Sequence, residues 1–318
     1  MSLIEQAAKR LEQLRQAGVE LPDANTAFFP AAEAKVAVNP PDPYAADISP
    51  AARIDPVASS ANPAPNKAAS AQSKRVELNL ESISASGLLV PQASRSQLAD
   101  EYRVIKRPLI ANAMGKGSTP IQNGNLIMVT SALPGEGKSF TAINLAISIA
   151  MELDNTVMLV DADVSRPSVL NMLGLPPASG LLDVVNRNSV DISEVLLRTN
   201  IEKLSILPSG TQHPRATELL ASDAMVRLLD DMASRYSDRI IIFDSPPLLL
   251  TTESRALASH MGQIVIVVNA ESTAQAAVKQ AIVAIDACPV KLMVLNQARQ
   301  ASTDGYGYGY GYGYGHEN

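Results

Sequence analysis

Six short apolar segments separated by helical stretches constrain the fold of this chain more than any other feature. They are LIMVT at 126–130, VMLV at 157–160, LSIL at 204–207, IIIF at 240–243, IVIVV at 264–268 and LMVL at 292–295. Continuous apolar strands that alternate with helices are typical of a parallel sheet covered on both faces. We therefore predict an α/β fold, in which ligands bind beyond the carboxyl ends of the strands.

The first strand is followed by a phosphate-binding loop, ALPGEGKS at 132–139, with Ala132 at the first glycine position of G-x-x-x-x-G-K-[ST]. Its two glycines let backbone N–H groups turn toward an anion, and the next helix directs its positive end at the same place. This makes the fold P-loop NTPase-like, with ATP and Mg²⁺ as cofactors. The predicted nucleotide-binding residues of the loop are Gly135, Glu136, Gly137, Lys138, Ser139 and Phe140.

Carboxylates follow two further strands. Asp161 and Asp163 occur in DADVSRP after the second strand, and Asp244 occurs in DSPP after IIIF. Two like charges this close repel each other unless a cation lies between them. An aspartate at the end of an apolar strand is a common means of holding Mg²⁺ in nucleotide enzymes. We therefore expect a magnesium site where these strands end.

The segments PGEGKS, VDADVSRP and IIIFDSPP resemble the Walker A, A′ and B motifs of the bacterial tyrosine kinases. The similarity runs from about residue 80 to the tail and includes GLLDVV, LPSG and TELL. The H-R-D and D-F-G motifs of eukaryotic protein kinases are absent. The long N-terminal segment and EYRVIKRPLIANA are most similar to the exosortase-associated tyrosine autokinase branch, found with exopolysaccharide loci.

This resemblance implies a role for each matching residue. Lys138 would contact phosphates, and one of Asp161 and Asp163 would bind the metal while the other lies near the incoming hydroxyl. We expect Asp163 to orient the tyrosine and accept its proton, with Asp161 as the alternative. The predicted sets are Lys138, Asp161, Asp163 and Asp244 for catalysis, Ser139, Asp161 and Asp244 for the metal, and Asn296 for the base.

The family also has an E-x-x-R-x-x-R helix that builds a ring of subunits. The residues in register here are Asp100, Arg103 and Lys106, and their spacing of three places them along one helical face. We predict an oligomer contact at this face, and the alternative is a solvated charged surface. The surrounding helix, 96–113, is predicted to be interrupted at Pro108.

The end of the chain is a Gly/Tyr repeat, GYGYGYGYGYGHEN. Glycine is costly to order, so residues 301–318 are predicted to form a flexible tail that displays its tyrosines. Beside a kinase-like site the tail is expected to be the enzyme's own substrate, whereas the alternative is a linker without a phosphoryl role. The predicted phosphoacceptors are Tyr306, Tyr308, Tyr310, Tyr312 and Tyr314.

The rest of the chain divides by composition. Residues 1–18 read as an amphipathic helix, docking either on the protein's own core or on a partner. Residues 19–80 are a Pro/Ala-rich linker predicted to be disordered, and 81–300 form the kinase domain. A net charge of −6 argues against nucleic-acid binding, and one cysteine excludes a disulfide scaffold. No signal peptide is evident, and the longest apolar runs are far shorter than a membrane span.

The sequence thus predicts an ATP-dependent tyrosine autokinase that regulates exopolysaccharide synthesis or export. The resemblance implies that further copies of the chain assemble with it into a ring. It also implies a separate membrane-bound partner that acts as a polysaccharide chain-length or co-polymerase protein, and a protein tyrosine phosphatase is a possible further partner. The expected location is cytoplasmic, at the inner membrane through that partner. The rivals are a MinD/ParA-type ATPase switch, which usually has a lysine where this chain has Leu133, and a non-enzymatic assembly protein that binds ATP.

Overall fold

The computed structural model describes residues 73–93, 96–117, 119–186, 190–236 and 238–298. The predicted N-terminal helix at 1–18, most of the linker and the tyrosine tail lie outside these residues. Within them, no helix has the length and apolar character that a membrane crossing requires.

An eight-stranded sheet forms the centre of the fold. Its order is β1-β4-β5-β3-β6-β2-β7-β8. The strands are β1 Lys74–Arg75, β2 Leu126–Ser131, β3 Thr156–Asp161, β4 Leu197–Arg198, β5 Leu204–Leu207, β6 Arg239–Asp244, β7 Gln263–Asn269 and β8 Val290–Asn296.

The six predicted strands are confirmed as β2, β3 and β5–β8, and they are all parallel to one another. The two strands that the sequence did not predict, β1 and β4, have two residues each, too few to form a recognisable apolar run. β4 runs antiparallel to β5, and β1 pairs with β4 at the edge of the sheet. Strand β1 therefore lies within the range predicted as linker, before residue 81.

Helices cover both faces of the sheet. Along β2, Leu126 and Met128 pack into one apolar cluster, while Ile127 and Val129 pack into the other. This alternation is expected of a strand buried on both faces. The helices are α1 Leu80–Ala85, α2 Gln97–Ala113, α3 Lys138–Ala150, α4 Val169–Met172, α5 Leu181–Asn186, α6 Ile192–Val195, α7 Ala216–Leu220, α8 Asp223–Arg235, α9 Glu253–Ala258 and α10 Gln275–Ala284.

Helix α3 follows the phosphate-binding loop directly and is buried from Thr141 to Ala150. Its side chains Ile143, Ile147 and Ile149 are completely inaccessible to solvent. A helix that is apolar on all sides belongs in the interior. The loop that precedes α3 is therefore held by one of the best-packed elements of the domain.

The predicted interruption at Pro108 is wrong, because α2 continues through it to Ala113. A proline inside a helix removes the hydrogen bond to the carbonyl four residues earlier, which belongs to Val104. Val104 is 72% exposed, and Pro108 is exposed on the same outer side of the helix. Solvent can satisfy the freed carbonyl there, so the helix tolerates the proline.

The predicted oligomer contact needs a correction at Lys106. Asp100 and Arg103 are exposed and form an ion pair with each other. Lys106 is only 5% exposed. Its Nζ donates to the carbonyl of Ser148 at 2.6 Å and pairs with Glu152 at 2.6 Å. Lys106 therefore fastens α2 to the carboxyl end of α3, where a cation is also favoured by the helix dipole.

Replacing Lys106 with methionine tests this internal role. Lys106→Met keeps an apolar stem of similar length but leaves the Ser148 carbonyl without its charged donor. We expect a loss of about 2 kcal/mol in the free energy of unfolding. Urea denaturation measures it, and Arg107→Met, at the exposed neighbour, should change stability by less than about 0.5 kcal/mol. Equal effects of the two substitutions would refute the internal role.

Candidate active site

The phosphate-binding loop leaves β2 and enters α3 through two glycines in the left-handed region. Gly135 has φ of 82° and Gly137 has φ of 91°. Gly137 is the N-cap of α3, and no side chain caps the helix. The amide groups of the first turn, which include those of Ser139 and Phe140, are therefore available to an anion.

The side chain of Glu136 braces this loop from inside. It is 3% exposed, and its Oε2 accepts a hydrogen bond from the Leu133 amide at 2.6 Å. Its other oxygen accepts a hydrogen bond from the hydroxyl of Thr273. Of the predicted nucleotide-binding residues, Glu136 thus contributes a side chain whose two oxygens are both used in contacts within the protein.

The ends of β7 and β8 support the loop from the other side. The Asn296 side chain donates to the Glu136 carbonyl at 2.9 Å, and Gln297 donates to the Gly135 carbonyl at 3.5 Å. Asn269 donates to Gln297 in turn. Sequence analysis predicted Asn296 as a contact for the base rather than as a support of the loop, and it missed the other supporting residues. Asn269 ends an apolar strand and could have been found by that position, whereas Thr273 has no signal in the sequence.

Asp161 and Asp244 are register partners at the carboxyl ends of β3 and β6. Asp161 is 1% exposed, and its Oδ2 accepts hydrogen bonds from the amides of Ser168 and Val169, each at 3.1 Å. Its Oδ1 has no hydrogen-bond partner among the described residues. Asp244 is completely buried, and within the described part of the chain no donor makes a hydrogen bond of normal length and angle to either of its carboxylate oxygens.

Lys138 is the cation of this site. Its Nζ lies 2.7 Å from Oδ2 of Asp163, whose side chain is 4% exposed. The other oxygen of Asp163 accepts a hydrogen bond from the Arg166 amide at 3.2 Å. The structure therefore brings the predicted catalytic residues together. Lys138 is paired with Asp163, the second aspartate of the A′ segment.

Burial raises the pKa of both register partners. Desolvation, then the charge of Asp244, raises the pKa of Asp161 to about 7. Desolvation raises the pKa of Asp244 to about 6, although the charge of Lys138 and the nearby Ser139 hydroxyl oppose the shift. A divalent cation would reverse both shifts, because it favours the ionised carboxylates and supplies a partner for their unpaired oxygens.

These residues fit a metal that is also held by a ligand. Among the residues that the structure describes, no three His, Cys, Asp or Glu side chains are arranged to hold an ion on their own. The unpaired oxygens of Asp161 and Asp244, together with the Ser139 hydroxyl, form an incomplete shell. Mg²⁺ in phosphate-transfer sites typically completes such a shell with phosphate oxygens and water.

A cleft of about 590 Å³ opens beside Asp161. One wall is the segment that leads from Pro167 into α4, and the other is the loop Ser209–Gln212. The second wall is positioned by the start of α5, where the amides of Leu181 and Leu182 donate to the carbonyls of Pro208 and Ser209. The GLLDVV and LPSG segments noted in the sequence thus shape one side of this cleft.

Comparison with known proteins identifies the relatives of this arrangement. Residues 124–297, more than half of the chain, match the AAA domain family AAA_31. Tyrosine-protein kinase YwqD of Bacillus subtilis strain 168 is 34% identical over 167 residues, which cover 52% of this chain and 69% of that protein. The chain belongs to the bacterial tyrosine-protein kinase family.

Solved structures agree with this family. The chimerical protein CapA2B2 superimposes with a TM-score of 0.58 at 30% identity, over 68% of this chain and 91% of that one. The kinase domain of the Escherichia coli tyrosine kinase ETK superimposes with a TM-score of 0.55 at 25% identity, and the match covers 66% of this chain and 80% of that domain's chain. A longer relative is the succinoglycan biosynthesis transport protein ExoP of Rhizobium meliloti strain 1021. It is 31% identical over 57% of this chain and 22% of ExoP.

Adding a methyl group to either loop glycine of this kinase tests how the loop is held. A Cβ on Gly137 would lie 2.1 Å from Nδ2 of Asn296, whereas a Cβ on Gly135 would meet nothing within 4 Å. Gly135→Ala should cost about 1 kcal/mol of unfolding free energy, from backbone strain alone. Gly137→Ala should cost roughly 2 kcal/mol, because Asn296 must also move.

Urea denaturation measures both glycine substitutions. Adding Asn296→Ala to Gly137→Ala removes the clash, so the double variant should lose less stability than the two single losses added together. Additive losses would show that Asn296 does not press on Gly137.

The raised carboxyl pKa values predict a pH dependence of stability. A carboxyl group whose pKa is higher in the folded than in the unfolded protein stabilises the fold fully only at pH values below its unfolded pKa, near 3.8. This contribution to the free energy of unfolding is lost as the pH rises through the folded pKa values of about 6 and 7. Asp244→Asn should therefore stabilise the metal-free protein at pH 7.5, on the order of 2 kcal/mol, and should stabilise it clearly less at pH 4.5, where most of the buried Asp244 carboxyl is still protonated.

Urea unfolding of the metal-free protein at both pH values measures this difference. Asp286→Asn is the matched control, because the side chain of Asp286 is 94% exposed and lies outside the site. It should leave the pH dependence unchanged. A destabilising effect of Asp244→Asn at pH 7.5 would contradict the account of an uncompensated buried charge.

Proposed function

We propose that this chain transfers the γ-phosphoryl group of ATP to the tyrosines of its own C-terminal tail. One observation carries the proposal: Asp161 and Asp244 have three carboxylate oxygens without a regular hydrogen bond from the described residues, and Lys138 and Ser139 of the phosphate-binding loop lie close to Asp244. The family membership makes tyrosine the acceptor class. The sequence then supplies five closely spaced tyrosines, 306–314, a few residues beyond the last described strand.

We assign Mg²⁺ to Ser139, Asp161 and Asp244, whose oxygens are the free ligands of the site. When bound, Mg²⁺ would neutralise charge on the transferred phosphoryl group. The amides at the start of α3 would hold the phosphates, and Lys138 would move from Asp163 to the β- and γ-phosphates. Asn296 lies against the loop and is our candidate for the base contact.

Release of Lys138 has a consequence for Asp163. Once its cation partner turns to the phosphates, Asp163 becomes free to orient the tyrosine hydroxyl and to accept its proton late in the transfer. A late proton transfer suffices, because phosphoryl transfer depends mainly on positioning and charge. Asp161 is the other candidate base, since it forms part of the wall of the 590 Å³ cleft.

That cleft is where we place the acceptor tyrosine. It opens directly beside Asp161, and its volume of about 590 Å³ is large enough to hold an aromatic ring. Residues 301–318 span at most about 60 Å when extended, at roughly 3.3–3.6 Å per residue. The tail is therefore long enough to reach the cleft of a neighbouring subunit, in a ring where Asp100 and Arg103 remain the exposed contact residues.

We place this activity in exopolysaccharide synthesis or export. ExoP is named for succinoglycan biosynthesis transport, and it is similar to this chain over 57% of the chain's length. The proposed assembly is a homo-oligomer on the cytoplasmic side of the inner membrane, bound to a separate membrane co-polymerase. A tyrosine phosphatase would reset the tail.

Incubation of the purified full chain with labelled ATP and Mg²⁺ tests the proposed reaction. Wild type should incorporate label on tail tyrosines, as mapped by mass spectrometry. Lys138→Met should reduce the rate by roughly 100-fold or more, because the charge on the phosphates is then unopposed. A variant with all five tail tyrosines replaced by phenylalanine should still bind ATP but lose most of the label.

The alternatives give different products in the same assay. Free phosphate without phosphotyrosine would indicate an ATPase switch, and neither product would indicate a non-enzymatic ATP-binding assembly protein. Phosphotyrosine that persists in Lys138→Met expressed alone would refute autophosphorylation.

A further inference from the structure

A second polar groove lies at the amino ends of the central strands, away from the active site. It has a volume of about 580 Å³ and lies between β1 with the residues after it, the β4–β5 hairpin, and the first residues of β3 and β6. Thr156 in the groove and Asp161 in the active site are the first and last residues of β3. They are about 16 Å apart at roughly 3.3 Å per residue.

The groove carries an excess of positive charge. Four of its lining residues are basic and two are acidic, namely Arg75, Arg198, Lys203, Arg239, Glu77 and Glu202. Arg75 and Arg198 are register partners on β1 and β4, so two like charges lie side by side. Such a pair is unfavourable without a counter-ion. Among the described residues, no acid forms an ion pair with any of these four cations.

Two residues that line the groove have buried donors without an acceptor among the described residues. The Nε of Arg239 and the Oγ1 of Thr156 are inaccessible to solvent, and neither makes a hydrogen bond with a described residue. The two residues are register partners on neighbouring strands. The guanidinium of Arg239 is held in place by the ring of Tyr236, whose centroid is 4.7 Å away. Because an unsatisfied buried donor is costly, this pair indicates a missing acceptor.

The walls of the groove are fixed by hydrogen bonds. The side chain of Asn200 accepts from the Leu78 amide at 2.9 Å and donates to the Leu78 carbonyl at 3.1 Å. The amide of Val76 donates to the Arg198 carbonyl at 2.9 Å. Lys203 is anchored by the carbonyls of Glu152 and Leu153. The cationic groups therefore surround a site that exists before any ligand binds.

We propose that this groove is a second anion site and that it binds a phosphate monoester. Planar guanidinium groups bind phosphate oxygens in pairs, and a phosphate dianion matches the excess charge. The volume exceeds that of a single phosphate group, so there is room for an organic substituent. The same chemistry could come from a small phosphate ester or from a phosphotyrosine side chain, and both present the same dianionic group.

Calorimetric titration of the full chain with O-phosphotyrosine tests the proposal. Saturating ADP and Mg²⁺ fill the phosphate-binding loop, so that binding there does not contribute. Wild type should bind the probe, and Arg75→Ala/Arg198→Ala should bind it roughly tenfold more weakly or worse. Arg239→Lys, which keeps the charge and removes the Nε donor, should also weaken binding. Arg107→Ala/Arg227→Ala removes two exposed arginines elsewhere and should bind like wild type.

Two further probes separate the sources of the ligand. If inorganic phosphate binds as tightly as O-phosphotyrosine, the groove recognises the phosphate group alone. If O-phosphotyrosine binds more tightly, the result supports a phosphotyrosine side chain as the ligand. Equal affinity of wild type and both groove variants for O-phosphotyrosine would overturn the proposal. So would a hexaglutamate peptide that binds the groove when O-phosphotyrosine does not.

Discussion

The alignment of Asp161 with Asp244 at the ends of two adjacent parallel strands is the constraint on which the site depends. Sheet register fixes the two carboxylates as neighbours, and burial withdraws them from water. The nearby cation, Lys138, is paired with Asp163 instead. The folded protein thus contains carboxylate oxygens that it does not satisfy itself. In the proposed reaction, a metal and the phosphates that accompany it would satisfy these oxygens.

The rest of the domain holds this unfavourable arrangement in place. Helix α3 is buried along nearly its whole length, so the loop that precedes it cannot relax away from the carboxylates. Glu136, Thr273 and Asn296 link that loop to the ends of β7 and β8. Packing on both faces of the sheet thus holds the carboxyl ends of β2, β3, β6 and β7 at fixed distances from one another.

Much of the fold and the loop could be predicted because each has a local signal. Continuous apolar runs identified β2, β3 and β5–β8, and the glycines and lysine identified the phosphate-binding loop. The strands β1 and β4 have only two residues each, too few to form a continuous apolar run. Charge spacing placed Lys106 on a helical face, but it could not say whether that face is solvated or buried against α3. Pro108 was misread because its tolerance depends on exposure, which only the tertiary structure decides.

The supporting residues of the site show the same limit. Thr273 and Gln297 act through contacts with residues more than a hundred positions away in the chain. The basic groove could not be predicted for the same reason. Its lining residues come from β1, β4, β6 and the turn before β5, and none of these segments has a recognisable sequence motif. Local patterns therefore predicted the chemistry of the strand ends, and long-range packing determined which side chains reinforce it.

The most direct test of the central claim is a crystal structure of the full chain with a non-hydrolysable ATP analogue and Mn²⁺, in which anomalous scattering locates the metal. The account predicts one strong peak between the phosphates, the Ser139 hydroxyl and the carboxylates of Asp161 and Asp244, with Lys138 turned toward the phosphates. A bound nucleotide with the metal elsewhere, and with the oxygens of Asp244 still unpartnered, would contradict it.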